Sequence, residues 1–150
     1  MSTLINVEDV MRLAFTAEEG CRGHVVSELD IYVAESRYLV PVIGRALYNK
    51  LLDGEYGELL EGYVAPALAA WVRYIVEPFL AARCWDEHLP ATGTSLVEIE
   101  RVVMHCRKRI AEALTRRLVR HLDEVEYAEY NMEDSSLNRC SIDGGIVQIR

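Results

Sequence analysis

The sequence lacks the cysteine patterns that mark disulfide frameworks and zinc sites. Its four cysteines, at positions 21, 84, 106 and 140, include no CxxC pair and have no regular spacing. A single domain of 150 residues buries enough surface to be stable without such crosslinks. Scattered single thiols are compatible with a reducing compartment.

Motifs of the common enzyme classes are also missing. There is no GxxxxGK(S/T) phosphate loop, no GxGxxG dinucleotide turn and no HExxH zinc helix. The nearest approach to a metal site is Cys84 with His88, one turn apart on a predicted helix, and it would need His105 or Cys106 as a further ligand. Core packing of Cys106 and a surface histidine explain these residues more simply. We therefore predict no metal, no cofactor, no small-molecule substrate and no catalytic residue. An enzyme that uses Cys84, Cys106 or His88 is the least favoured class.

Neither a signal peptide nor a transmembrane segment is expected. The first fifteen residues, MSTLINVEDVMRLAF, have no basic start and no long apolar run. The most apolar stretch, 64–82, contains Arg73, Glu77 and two prolines, which are costly in a bilayer. The expectation is a soluble intracellular protein that does not bind membranes.

Negative charge predominates but is unevenly distributed. A net charge of −8 disfavours sequence-independent binding to DNA. Seven of the sixteen basic residues nevertheless lie between Arg101 and Arg120, where only Glu112 opposes them, and residues 123–134 then carry six acids and no base. One interpretation is a solvated helix whose cations suit its dipole. The other is a surface that meets a partner, with protein favoured over DNA. The candidate subunit or partner interface consists of Arg101, Lys108, Arg109, Arg116, Arg120, Asp123, Glu124 and Glu126.

Apolar residues recur at helical spacing over most of the chain, which predicts an all-α bundle of four or five helices. Helices are expected over 7–15, 25–39, 45–52, 63–88 and 95–125. Pro41 should end the second helix near Leu39, and Asp53-Gly54 should close the third. The fourth should have Pro66 in its first turn and be kinked or broken before Pro78. The last and longest should begin with a Ser95–Glu98 capping box.

The predicted core consists of the apolar residues on the inward faces of these helices. Its members are Leu29, Val33, Leu47, Leu51, Leu68, Trp71, Ile75, Phe79, Ile99, Val103, Ile110, Leu114 and Leu118, with Cys106 on the same stripe.

Two features lie outside this pattern. Residues 127–150 are acidic and then contain an Asp-Gly turn between short β-prone strings, so we expect residues 1–126 to form the domain and 127–150 an extended or hairpin-like arm. Arg73 and Glu77 lie one turn apart on an apolar helix. They form either an intrahelical ion pair or a polar contact across a subunit seam.

Three stretches resemble small helical proteins of tailed-phage and gut-bacterial prophage structural modules: YLVPVIGRALYNKLL at 38–52, YVAPALAAW at 63–71 and EPFL at 77–80. Over residues 29–122 the chain is similar to head–tail connector proteins, also called adaptor or head-completion proteins. In that family an L-x-P-x-I/L-G-x-x-L-Y corner joins two helices, and a Y-V-x-P-A-L-A helix forms the centre of the bundle. Residues 127–150 are not matched by this resemblance.

The resemblance implies a non-enzymatic ring subunit at the portal vertex of a phage head. Its partners would be other copies of itself and the portal or neck proteins, with DNA only passing through the ring lumen. It would be located in the host bacterial cytoplasm during assembly and then in the virion neck. The alternative is a bacterial helical protein-interaction module unrelated to phage.

Overall fold

A computed structural model of the protein describes residues 2–17, 19, 25–84 and 96–130. All regular secondary structure in these ranges is helical, and they contain no strand, so the fold is all-α as expected. Five continuous helices are present there. They are α1 (Val7–Ala14), α2 (28–43), α3 (Arg45–Leu52), α4 (57–84) and α5 (Leu96–Glu124).

Capping boxes begin the first two helices. The Asn6 side chain accepts a hydrogen bond from the Asp9 N–H at 2.8 Å, and Asp9 in turn accepts from the Asn6 N–H. Ser27 and Asp30 form the same reciprocal pair at the start of α2. Each box satisfies backbone donors that a helix start leaves unpaired. The start of α2 is therefore three residues later than Val25.

The expected end of α2 near Leu39 is wrong. The helix passes through a π turn at Glu35–Leu39, continues as α-helix over Val40–Ile43 and ends at Gly44, whose φ of +83° suits glycine. Proline has no N–H and its ring clashes with the carbonyl four residues earlier. The wider π turn just before Pro41 makes room for that ring, so the helix is not terminated.

Helix α4 also has a π turn shortly before a proline. It begins at Gly57, not Tyr63, and its π turn at Leu60–Val64 again ends two residues before a proline, Pro66. Pro66 thus lies inside the helix rather than in its first turn. The Gly62 carbonyl, which Pro66 cannot bond, accepts a hydrogen bond from Arg117 Nη1 on α5 at 3.2 Å.

The expected break before Pro78 is also absent, because one α-helical segment runs from Ala65 to Cys84. Helix α3 has the predicted bounds, and Asp53 with Gly54 (φ +86°) closes it as predicted. Helix α5, with 29 residues, is the longest in the described part of the chain, as predicted.

Helix α4 is the centre of the packing. It contacts α1, α2 and α5, and it is buried on almost every side from Val64 to Val72. The apolar character of this segment on all faces follows from that position. By length and composition, Gly57–Leu80 could also cross a membrane, but 61% of its most apolar window is buried within the protein, which is typical of a core helix.

The predicted core is partly confirmed. Leu47, Leu51, Leu68, Trp71 and Leu118 are buried, and Ile75, Val103 and Leu114 are half-buried. Four of the expected members are exposed instead. They are Leu29 (57%), Val33 (36%), Phe79 (61%) and Ile110 (49%).

The buried face of α5 differs from the predicted stripe. Ala111, Thr115, Leu118 and Leu122 are buried, whereas Cys106 and Ile110 are exposed. The shift arises because a threonine belongs to the inner face: Thr115 accepts from Trp71 Nε1 at 2.9 Å and donates to the Ala111 carbonyl at 2.8 Å. A buried hydroxyl with both bonds made is well tolerated. The Ile99 side chain, Ser95 and the arm beyond residue 130 lie outside the described residues.

Candidate functional site

The predicted interface residues all lie at the surface. Arg101, Lys108, Arg109, Arg116 and Arg120 are exposed along α5, and Asp123 and Glu124 are exposed in its last turn, with Glu126 just beyond. At about 1.5 Å per residue, this set extends roughly 35 Å along one helix. Exposed Val102 (62%) and Ile110 (49%) lie on the same helix.

Arg107, although it is a cation of α5, is not part of this exposed face. It belongs to a cluster of two arginines and two glutamates. Arg73 on α4 donates from Nε to Glu77 at 2.7 Å and from Nη2 to Glu19 at 2.9 Å. Arg107 on α5 approaches Glu77 at 3.3 Å. The Arg73–Glu77 pair is therefore intrahelical, and it is buried, since Arg73 is 3% exposed.

Each charge in the cluster has an opposite charge beside it, as buried ions require. The hydrogen bond from Arg73, against the opposing effect of burial, lowers the pKa of Glu19 to about 2. Burial lowers the pKa of Arg73, but its bonds to Glu19 and Glu77 outweigh burial and leave that pKa raised. Arg73 also donates to the Ala14 carbonyl and lies 4.1 Å from the centre of the Phe15 ring. The cluster holds α1, α4 and α5 together.

A cavity of about 330 Å³ opens between α2, α4 and α5, and we call it the α2–α5 cavity. Its floor is aromatic: Tyr38 stacks on Trp71 with centroids 4.0 Å apart, and Tyr74 contacts Trp71 edge-on at 5.7 Å. Arg37, Lys108 and Glu112 supply its charged groups. Trp71 is fixed by its bond to Thr115, so the floor is rigid.

The charged lining of this cavity is predominantly cationic. Arg37 is exposed and makes no ion pair with any described residue; its guanidinium lies 5.6 Å from the Tyr38 ring centre. Lys108 and Glu112 are 3.9 Å apart, at the outer limit of an ion pair. Burial raises the pKa of Tyr38, so its hydroxyl stays protonated at neutral pH. Such a lining accommodates an acceptor group that carries negative charge.

A buried carboxyl lies in the π turn that carries Arg37 and Tyr38. Glu35 is 0% exposed, and it accepts from the Leu4 N–H at 2.6 Å and from the Tyr48 hydroxyl at 2.7 Å. Burial raises the pKa of Glu35, and the two hydrogen bonds oppose that rise. Glu35 thereby joins the N-terminal segment to α2 and α3.

The end of α5 is held against α4 by aromatic contacts. His121 stacks on Tyr63 with centroids 3.8 Å apart, and the Tyr127 ring contacts Tyr56 edge-on at 5.1 Å. Between these contacts, Glu124, Val125 and Glu126 are exposed, and we call these three residues the acidic knob. Val125 is 41% exposed, and neither glutamate makes an ion pair with another described residue.

Within the described ranges, no group of three or more histidine, cysteine, aspartate or glutamate residues could hold a metal ion. Cys106 is an exposed free thiol. The Cys84 side chain and His88, the pair considered from the sequence, lie outside the described residues.

Sequence reasoning did not find the α2–α5 cavity or Glu35. Glu35 could have been noticed, because it lies midway between Ile31 and Leu39 at the four-residue spacing of a buried helix face. The repeated Tyr-x-x-Pro at 38–41 and 63–66 accompanies both π turns. Comparison with protein-family models, curated proteins and solved structures gave no match.

Proposed function

We propose that the protein is a non-enzymatic structural protein of a phage or prophage, a head–tail connector subunit that assembles in a ring at the portal vertex. The observation that carries the proposal is the outer face of α5, where exposed cations surround exposed apolar side chains. Residues 1–126 would form a helical bundle, with 127–150 as an arm. The protein would act without cofactor or metal.

The α5 face has the composition of a protein interface. Val102 and Ile110 are both about half exposed or more, and arginine is the commonest charged residue around them. Interface centres are enriched in apolar residues and arginine and depleted in lysine and acids. Asp123, Glu124 and Glu126 lie at the C-terminal end of the helix, beyond the cations of this face, so one copy offers both signs of charge at separate places. This arrangement suits a heterologous contact, in which different faces of neighbouring copies meet.

The local structure of the resembling stretches supports the same proposal. Residues 38–52 comprise the end of α2 and all of α3, which meet at Gly44, and residues 63–71 lie in the central helix α4. A connector has these two elements at the matching motifs. The partners would be other copies of the chain and the portal or neck proteins, in the host cytoplasm and then in the virion neck, with DNA only passing through the lumen.

Charge reversal on α5 tests the mechanism. We expect Arg116→Glu with Arg120→Glu to leave the chain folded and to block its incorporation into phage heads or its ring formation on a portal. The matched control, Arg12→Glu with Arg45→Glu, makes the same charge change at exposed positions outside α5. The measurement is the amount of each variant in purified particles, relative to wild type. Normal incorporation of the folded α5 variant would remove this face from the mechanism.

The assignment itself has a separate test. We expect mass spectrometry of purified virions to contain this chain, and imaging of the neck to place it next to the portal. Portal, protease and capsid genes beside its own gene would agree. Absence of the chain from intact particles would contradict the assignment and favour a bacterial interaction module.

A further inference from the structure

The α2–α5 cavity and the acidic knob have complementary chemistry. The cavity places an aromatic floor beside two cations, Arg37 and Lys108, and Lys108 lies 3.9 Å from the Glu112 carboxylate. The knob places an exposed apolar side chain, Val125, between two carboxylates, Glu124 and Glu126. An apolar group can therefore meet the aromatic floor while one carboxylate meets Arg37 and the other meets Lys108 in place of Glu112.

The two features cannot meet within one chain. The cavity is lined by Lys108 and Glu112 of α5, and the knob begins at Glu124 of the same helix. Twelve residues separate Glu112 from Glu124, which is about 18 Å along a straight helix. The aromatic contacts of His121 and Tyr127 fix the knob to α4, so it cannot fold back. The complement of each feature must come from another molecule.

The geometry points to a second copy of this chain: we propose that the acidic knob of one copy docks in the α2–α5 cavity of the next. The inference rests on the proposed function, whose ring needs a contact between unlike faces. The cavity has the volume of roughly ten water molecules, enough for the valine side chain to displace water from the floor. Because cavity and knob are different places, a linear chain of copies keeps one free cavity at one end and one free knob at the other.

This contact is small and electrostatic, so its strength depends on salt. Charges at the rim of an interface are screened beyond about 8 Å at 0.15 M ionic strength and beyond about 30 Å at 0.01 M. We expect wild-type protein to associate measurably at low salt and much less at physiological salt. Sedimentation equilibrium at protein concentrations up to about 1 mM measures this association, because it detects dissociation constants as weak as about 1 mM.

Two variants separate the two halves of the contact. Arg37→Gln with Lys108→Gln removes the cations of the cavity and keeps the knob, whereas Glu124→Gln with Glu126→Gln removes the charges of the knob and keeps the cavity. Neutral substitutions are used because reversed charges on both sides would attract each other. We expect each variant alone to associate at least about tenfold more weakly than wild type. Mixed in equal amounts, they should form a heterodimer of twice the chain mass of 17.0 kDa and nothing larger, since only one good cavity and one good knob remain.

Two further variants test whether the loss of association is specific to this contact. Arg12→Gln with Arg45→Gln changes the net charge as the cavity variant does, at exposed positions outside the contact, and should associate as wild type. Val125→Ser leaves every charge in place and should weaken association about tenfold, because the apolar side chain that would be removed from water is lost. Far-UV circular dichroism confirms that each variant is folded.

Three results would overturn the inference: wild-type protein that stays monomeric at low salt, single variants that associate as well as wild type, or a mixture that forms no heterodimer. The proposed function is tested by a different result. Absence of the chain from virions would contradict the connector even if the heterodimer forms. Incorporation of the cavity variant into virions would contradict only the docking.

Discussion

At the scale of single residues, Glu35 is unusual because it is fully buried and none of its hydrogen-bond partners among the described residues is a cation. Its oxygens accept from the Leu4 N–H and the Tyr48 hydroxyl, and burial still raises its pKa. A carboxyl whose pKa is higher in the folded than in the unfolded state binds more protons when folded. The folded state therefore loses stability as pH rises above the usual value of 4.5 and through the raised one.

Glu35→Gln should remove this loss of folding stability at rising pH. The amide keeps the shape of the carboxyl, its oxygen can accept from Leu4, and the Tyr48 hydroxyl can reverse its role and accept from the amide. We expect wild type to lose up to about 1.4 kcal/mol of unfolding free energy per pH unit within that window, and the variant to lose less. Urea denaturation at a series of pH values measures this. The exposed control Glu61→Gln should not change the slope, and a Glu35→Gln slope equal to that of wild type would contradict the burial argument.

Arg73 should be among the most sensitive charged residues in the described part of the chain. Among the described residues, Arg73→Met leaves Glu19 and Glu77 with Arg107 as their remaining ion-pair partner, at 4.0 Å and 3.3 Å. Breaking a buried pair in this way costs about 3–5 kcal/mol. Arg12→Met removes an exposed ion pair with Asp9 and should cost less than about 1 kcal/mol. Chemical denaturation compares the two, and similar small losses would mean that water solvates the cluster.

At the scale of elements, two glycines should respond in opposite directions to substitution by alanine. Gly44, at the corner between α2 and α3, has a φ of +83°, which an L residue adopts only with strain. Gly62 lies within α4, and an added Cβ would meet nothing within 4 Å. We expect Gly44→Ala to lower the unfolding free energy by about 1–3 kcal/mol and Gly62→Ala to raise it by about 0.5–1 kcal/mol. Thermal melts check both signs. A stabilising Gly44→Ala would show that the corner can rearrange.

The end of α3 was predictable because it has a local cause. The bounds of α3 and its closure by Asp53-Gly54 follow from glycine and aspartate chemistry within a few residues. The end of α2 at Gly44 was not predicted, because Pro41 indicated an earlier end near Leu39. The π turns were not predictable in this way, because proline signals a helix end and a π turn with the same residue. Which outcome occurs depends on tertiary contacts such as the bond from Arg117 to the Gly62 carbonyl.

The buried face of α5 differs from the one predicted from its apolar residues, and the difference has a physical reason. Thr115 and Arg107 are polar but have their hydrogen-bond or ionic partners on α4, so they occupy inward positions. Ile110 is apolar but exposed. The exposed charges of α5 could be chosen from sequence because charge segregation is visible there, whereas the cavity depends on Tyr38 and Trp71 meeting across 33 residues of sequence.

At the scale of the whole molecule, α4 makes the fold cooperative. Three other helices pack on it, so loss of α4 packing exposes the inner faces of all of them. In a Trp85→Phe background, Trp71 fluorescence and far-UV circular dichroism should report the same urea midpoint. Leu68→Ala, at a position 0% exposed, should lower both midpoints equally, by the equivalent of about 2–5 kcal/mol. Separate midpoints would show that α5 unfolds independently of α4.

The two π turns also determine where this chain tolerates a change of length. Deleting one residue from an α-helix rotates everything beyond it by about 100°, which moves a buried face towards solvent. A π turn already holds one residue more per turn than an α turn, so a deletion within 35–39 or 60–64 converts it to an α turn and keeps the later faces in register. An α turn leaves less room for the proline ring that follows, so homologous chains are expected to lose a residue at these places only together with the proline.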